Sequence, residues 1–142
     1  MSPFVRSVRD RQKWHDGRAD RASVDMLIGV DAGAFVDIRA GVARYLSETL
    51  SEMMAISPTD DFILYAPGPI DLSLPRGRWR VRIPHRRGWP VPGHWLRDTI
   101  PRVIAEDGVD VFWGQNAMLP LRLRRACRRV LTVHDVTGCI FP

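Results

Sequence analysis

Arg129-Val-Leu-Thr-Val-His-Asp135 is the stretch on which the reading of the whole chain turns. It opens on a cation, runs through a short β-branched apolar core and ends on a histidine and an aspartate. Residues 130–133 are too few for a buried helix, and read as a buried parallel strand with both faces covered. Polar groups just past the carboxyl end of such a strand stand where open α/β sheets bind ligands. His134 and Asp135 are therefore candidate site residues. The residues alone leave a second reading equally open, in which His134 caps the strand and Asp135 opens a turn.

Moving back from this strand, residues 122–129 are densely basic. They read as a solvated turn, because no aromatic side chains are interleaved to stack on bases. Before them comes Gly108-Val-Asp-Val-Phe-Trp-Gly114, a fourth strand ending on glycine, then Gln115-Asn116 and an apolar hook over 117–121. Residues 94–107 carry Leu96, Ile100, Val103 and Ile104 at helical spacing, with Pro101 breaking or kinking the helix. Residues 85–93 are irregular, basic and aromatic, either a recognition loop or a proline-rich connector. In residues 79–83, Trp79, Val81 and Ile83 alternate with Arg80 and Arg82. That pattern predicts an edge strand with its arginine face wet.

Asp61-Phe-Ile-Leu-Tyr-Ala66 is another strand, ended by Pro67-Gly-Pro69. Met26-Leu-Ile-Gly-Val-Asp31 is the first, a continuous apolar run closing on an acid. A glycine-containing loop follows it, and a helix opens at Gly41. Val42, Tyr45, Leu46, Leu50, Met53 and Met54 form its apolar stripe, opposite Arg44, Ser47, Glu48, Ser51 and Glu52, and Pro58 stops it. Gly41 at the helix mouth would let backbone N–H groups approach an anion, or it serves only as a tight opening turn. The spacing is not G-x-G-x-x-G, so no dinucleotide cofactor is expected.

These units predict an α/β fold with a mostly parallel, doubly wound sheet over 26–142. With the first strand beside the fourth, the loops after Asp31, Trp113 and His134 meet at one switch point. Residues 1–25 read as a disordered basic extension, and a start at Met26 would account for it equally well. The 142 residues have room for one domain, and the chain has no secretory h-region and no run long enough for a membrane span. Cys127 and Cys139 are far from metal-ligand spacing and read as free thiols of a cytoplasmic protein. The net charge of +5 is almost wholly arginine, Lys13 being the only lysine. Such a balance suits phosphorylated ligands, anionic lipid or nucleic acid, but most of these side chains read as simply solvating the surface.

Taken together, Ile28-Gly-Val-Asp31, Gly41-Val-Ala-Arg-Tyr45, Asp110-Val-Phe-Trp-Gly114 with Leu119-Pro-Leu121, Thr132-Val-His-Asp135 and Phe141-Pro142 resemble the amino-terminal half of a family 4 glycosyltransferase. Trp95 followed by Ile100-Pro101 is similar to that family's helix before the fourth strand. The family comprises retaining enzymes of the GT-B architecture that move a sugar from a nucleotide-sugar to a polysaccharide or glycolipid acceptor. The resemblance implies a Rossmann-like half that binds acceptor, with Gly41 near the donor diphosphate and His134 near the transferred sugar. Asp135 would order the His134 loop, and Asp31, Gly114, Gln115 and Asn116 would line the cleft. It implies no divalent metal and no cofactor beyond the nucleotide-sugar substrate, the leaving-group charge being met by basic side chains and helix N-termini.

The departures bear on activity. The family continues past the point matching Pro142 into the rest of this domain and then a second Rossmann domain that holds the nucleotide and a pair of glutamates, and Gly33 stands where many members carry arginine. The expectation is an acceptor-side wall that is inactive alone and works with a separate donor-binding chain, in the cytoplasm or at the inner face of the membrane. The alternative is a small basic binding module for anionic lipid, with nucleic acid the weaker candidate.

Overall fold

The computed structural model describes residues 26–36, 40–70, 72, 74–84, 95–115, 118–120, 122–123 and 125–135. The expectations for the basic extension, for the 85–93 loop, and for Asn116, Leu121, Cys139 and Phe141-Pro142 lie outside them.

Five strands form one all-parallel sheet: β1 (Leu27–Asp31), β2 (Asp61–Tyr65), β3 (Trp79–Arg82), β4 (Val111–Gly114) and β5 (Arg128–Leu131). Their spatial order is β3-β2-β1-β4-β5, so the first strand does lie beside the fourth. β1 is paired on both sides, to β2 over its whole length and to β4 from Ile28 to Val30. Two carboxylates fasten its beginning: Asp60 accepts from the N–H of Met26 and Asp110 from that of Leu27, each at 2.9 Å.

Helix α1 (Ala40–Ile56) covers one face of the sheet. Its Leu46, Leu50 and Met54 pack with Ile28, Val30, Phe62, Leu64 and Trp113. Helix α2 (Ile100–Asp107) covers the other face, where Ile100, Val103 and Ile104 meet Ile63, Tyr65, Phe112 and Cys127. Helices on both faces make the sheet doubly wound. Both crossovers then bury what successive strand residues present alternately to the two sides. The chain is thus an α/β, Rossmann-like fold.

Pro101 does not break α2. It stands in the first turn, where a missing N–H costs nothing, and a π-type turn (Trp95–Thr99) precedes it. The helix ends on Gly108 at φ 67°, a left-handed conformation that glycine adopts without a Cβ penalty, and the Gly108 N–H donates to Ile104 O.

Two expectations are corrected. The strand expected over 130–133 is Arg128–Leu131, and it lies at the sheet edge with all of its residues exposed. The physical reason is Cys127. Its buried side chain sits in the α2-side core, so the chain is anchored there and the arginines, not the valines, begin the ladder. At the other edge, β3 is where alternation put it, but its arginine face is not the wet one. Arg82 pairs with Glu106 and Asp107, and Arg80 with Asp107, at the acidic end of α2. Val81 and Ile83, on the other face, are the exposed pair.

Candidate functional site

The carboxyl ends of β1, β4 and β5 stand side by side. Val30 is in register with Trp113, and Trp113 with Val130, so Asp31, Gly114 and Leu131 form the next row. Neighbouring strands lie about 4.8 Å apart, which puts these three chain ends within roughly 10 Å.

Asp31 closes β1 and is buried. Its Oδ1 accepts from the Gly33 N–H at 3.1 Å and from the Trp95 indole N–H at 3.4 Å. Burial outweighs those two donors and holds the carboxyl above the usual aspartate range. Trp95 comes from the turn leading into α2, so the carboxylate ties that turn to the strand end.

Gly114 closes β4 and is covered by the hook. A Cβ there would meet the Met118 backbone oxygen at 2.6 Å and Leu119 Cδ2 at 2.9 Å, an approach only glycine permits. Gln115 follows, only 1% exposed, and neither its amide nitrogen nor its amide oxygen has a hydrogen-bond partner among the described residues. Such a group raises the free energy of the fold, and where it persists it calls for a ligand, a water or another function.

Past β5, Thr132 is held twice. Its N–H donates to Gly114 O at 2.9 Å, and its hydroxyl accepts from the Trp113 indole at 2.9 Å. That clamp sets the position of His134 two residues on. His134 Nε2 lies 2.9 Å from the Gln115 carbonyl oxygen. A carbonyl only accepts, so the ring donates from Nε2 and the neutral imidazole keeps Nδ1 as its acceptor. Tyr45, projecting from α1, sets its ring edge-on to His134 with centroids 5.2 Å apart. Asp135 is exposed beside it.

The structure thus brings Gln115 and His134 into direct contact and sets Asp31 and Gly114 on the adjoining strand ends. Gly41 is the second residue of α1, exposed, with open space around the position of a Cβ. Asn116 lies outside the described residues. Three roles escaped the sequence reading: Tyr45, placed there in the core stripe and in the Gly41–Tyr45 motif, as the ring against His134, Trp113 as the clamp on Thr132, and Trp95 as a donor to Asp31. A signal existed for the tryptophans, since a buried indole N–H needs an acceptor and Thr132 and Asp31 are polar groups at the adjacent strand ends.

The assembled groups are hydrogen-bonding ones: a fixed imidazole acceptor, an amide with spare donors and acceptors, and a carboxyl inclined to hold its proton. Such a set suits a polyhydroxylated or amide-bearing ligand. Among the described residues no three His, Cys, Asp or Glu side chains cluster so as to hold a metal ion. No described helix is long and apolar enough to cross a membrane. No protein-family model, no curated protein and no solved structure matches the chain.

Proposed function

We propose that the chain is the acceptor-side wall of a retaining, GT-B-type glycosyltransferase. It contributes His134, Asp135, Asp31, Gly114 and Gln115 to a cleft whose donor side is a second, nucleotide-binding Rossmann domain. One observation carries the reading. The short motifs that resemble family 4 enzymes end on Asp31, on Gly114-Gln115 and on His134-Asp135, and those positions meet at the carboxyl ends of three adjacent parallel strands, where open α/β sheets bind ligands. In this reading the nucleotide-sugar diphosphate lies toward Gly41 and the acceptor is a glycan or glycolipid. His134 accepts a sugar hydroxyl at Nδ1, and no metal takes part. The protein works in the cytoplasm, at the inner face of the membrane.

The test is nucleotide release from a panel of nucleotide-sugars, with the chain alone and with a donor-binding half carrying paired glutamates supplied in trans. The chain alone releases none, and the reconstituted pair turns over. In the pair, His134→Ala lowers the rate by about 10²–10³, the usual loss for one positioned polar group at a transition state. Arg125→Ala, exposed in the turn before β5, leaves it unchanged. Equal effects of the two substitutions, or transfer by the chain alone, refute the proposal.

A second reading rests on the exposed Arg122, Arg125, Arg128 and Arg129, which favour a small module binding an anionic lipid surface. It predicts vesicle binding that falls steeply with salt and does not depend on His134.

A further inference from the structure

We propose that Tyr45 is a positioning residue for His134: its ring selects the plane of the imidazole, and so the direction in which Nδ1 accepts from a substrate hydroxyl. The role given to Nδ1 rests on the transferase reading above, whereas the orientation of the ring can be tested without it. The clamp on Thr132 sets the main chain two residues before His134, and the bond from Nε2 to the Gln115 carbonyl oxygen, at 2.9 Å, sets the position of Nε2. On its own that bond leaves the ring able to turn about the N–H···O line, carrying Nδ1 through an arc. The Nδ1 lone pair lies in the plane of the ring, and a hydrogen bond weakens steeply as it is misaligned. The ring plane therefore decides where an accepted hydroxyl can stand.

Tyr45 supplies the contact that chooses this plane. Its ring and the imidazole have centroids 5.2 Å apart and planes at 89°. Edge-to-face geometry at about 4.5–7 Å is an arrangement that aromatic pairs prefer, because the positive edge of one ring meets the negative face of the other. A turned imidazole loses that match, which corresponds to a bias of about 2–10-fold toward the matched orientation. Burial separates Tyr45 from the core stripe in which its spacing places it. Leu46 and Leu50 on the same helix are fully buried, whereas Tyr45 is 40% exposed. Those leucines anchor α1 on the sheet, so Tyr45 projects from a firm base toward the end of β5. Gly41 lies one turn earlier on the same side of the helix. One helix thus carries both the donor-side opening of the proposed cleft and the ring that orients its acceptor-side histidine.

The experiment has two arms and uses Tyr45→Phe and Tyr45→Ala. The first is NMR relaxation of the full chain with carbon-13-labelled histidine, the His134 signals being identified by their loss in His134→Ala. The order parameter of the His134 ring C–H bonds is near about 0.8 in the unsubstituted chain and in Tyr45→Phe, and falls below about 0.6 in Tyr45→Ala. The second arm is nucleotide release by the chain together with the donor-binding half. Tyr45→Ala lowers kcat by about 2–10-fold and leaves KM for the nucleotide-sugar unchanged, while Tyr45→Phe keeps full turnover. In a His134→Ala background Tyr45→Ala has no further effect, because it acts through the imidazole. An unchanged order parameter in Tyr45→Ala overturns the proposal, as does additivity of the two alanine substitutions. Equal losses of turnover in Tyr45→Phe and Tyr45→Ala also overturn it, since the phenol hydroxyl would then be a direct substrate contact. A pair of unsubstituted halves that releases no nucleotide counts against the transferase reading, and the order parameter still decides what holds His134.

Discussion

Gln115→Met should make the protein more stable and a worse binder. Both polar atoms of the Gln115 side chain are buried without partners among the described residues, and each atom left unsatisfied costs about 1–3 kcal/mol. Methionine has nearly the same length and fills the same space with no polar atoms, so little cavity or overpacking cost offsets the gain. The net effect is a stabilisation on the order of 2 kcal/mol, or a rise in Tm of roughly 6 °C for a chain of this size. The backbone carbonyl that receives His134 is unchanged by the substitution, so the imidazole stays where it is. Two assays separate the effects: a urea titration read by circular dichroism for stability, and saturation-transfer NMR with acceptor oligosaccharides for binding. A variant destabilised by about 1 kcal/mol or more would show that the amide is hydrogen-bonded in solution, and the reasoning fails. A stabilised variant with unchanged glycan binding would remove the amide from the site.

Three further outcomes are expected. Gly114→Ala forces a Cβ into the Met118 carbonyl at 2.6 Å, so the hook must move and stability falls by about 1–3 kcal/mol in the same urea titration. Asp31 has its folded pKa raised by burial, so the folded state binds its proton more tightly than the unfolded chain does; stability therefore falls as pH rises from the unfolded value through the raised one, and Asp31→Asn flattens that slope and stabilises the protein at neutral pH. A slope that steepens in Asp31→Asn would contradict this. Tyr65→Phe removes the 2.7 Å bond from the buried phenol to Asp107 and costs about 1–2 kcal/mol, and a neutral result would mean that Asp107 is satisfied by Arg80 and Arg82 alone.

Much of the architecture was legible because parallel strands announce themselves as short apolar runs broken by helical stripes. The runs ending on Asp31, Ala66 and Gly114 each became a strand, the second stopping one residue early at Tyr65, and the Leu46–Leu50–Met54 stripe became the inner face of α1. The position of β5 was not legible. An apolar run says that its side chains would gain from burial, but it does not say whether a neighbour exists to bury them. Cys127, a single small residue in a basic stretch, sets the register instead, and nothing in its immediate sequence marks it as an anchor. The arginine face of β3 was misjudged for a related reason. Alternation separates two faces, but which one is covered depends on Glu106 and Asp107, two dozen residues on, arriving at the end of α2. At the site, single polar residues at strand ends could be named. Their pairing could not, because the Gln115–His134 contact joins two loops brought together only by the sheet.

The carboxylate fastening at the start of β1 has a practical consequence for handling the molecule. Asp60 and Asp110 hold the first N–H groups of that strand at the amino edge of the sheet. β1 then runs for five residues, about 16 Å, before it reaches the row of Asp31. A label or surface tether attached at Met26 itself is therefore joined at the opposite pole from His134. A sample immobilised through that residue presents the carboxyl edge of the sheet to solution, the orientation to choose for any surface-based measurement of ligand capture.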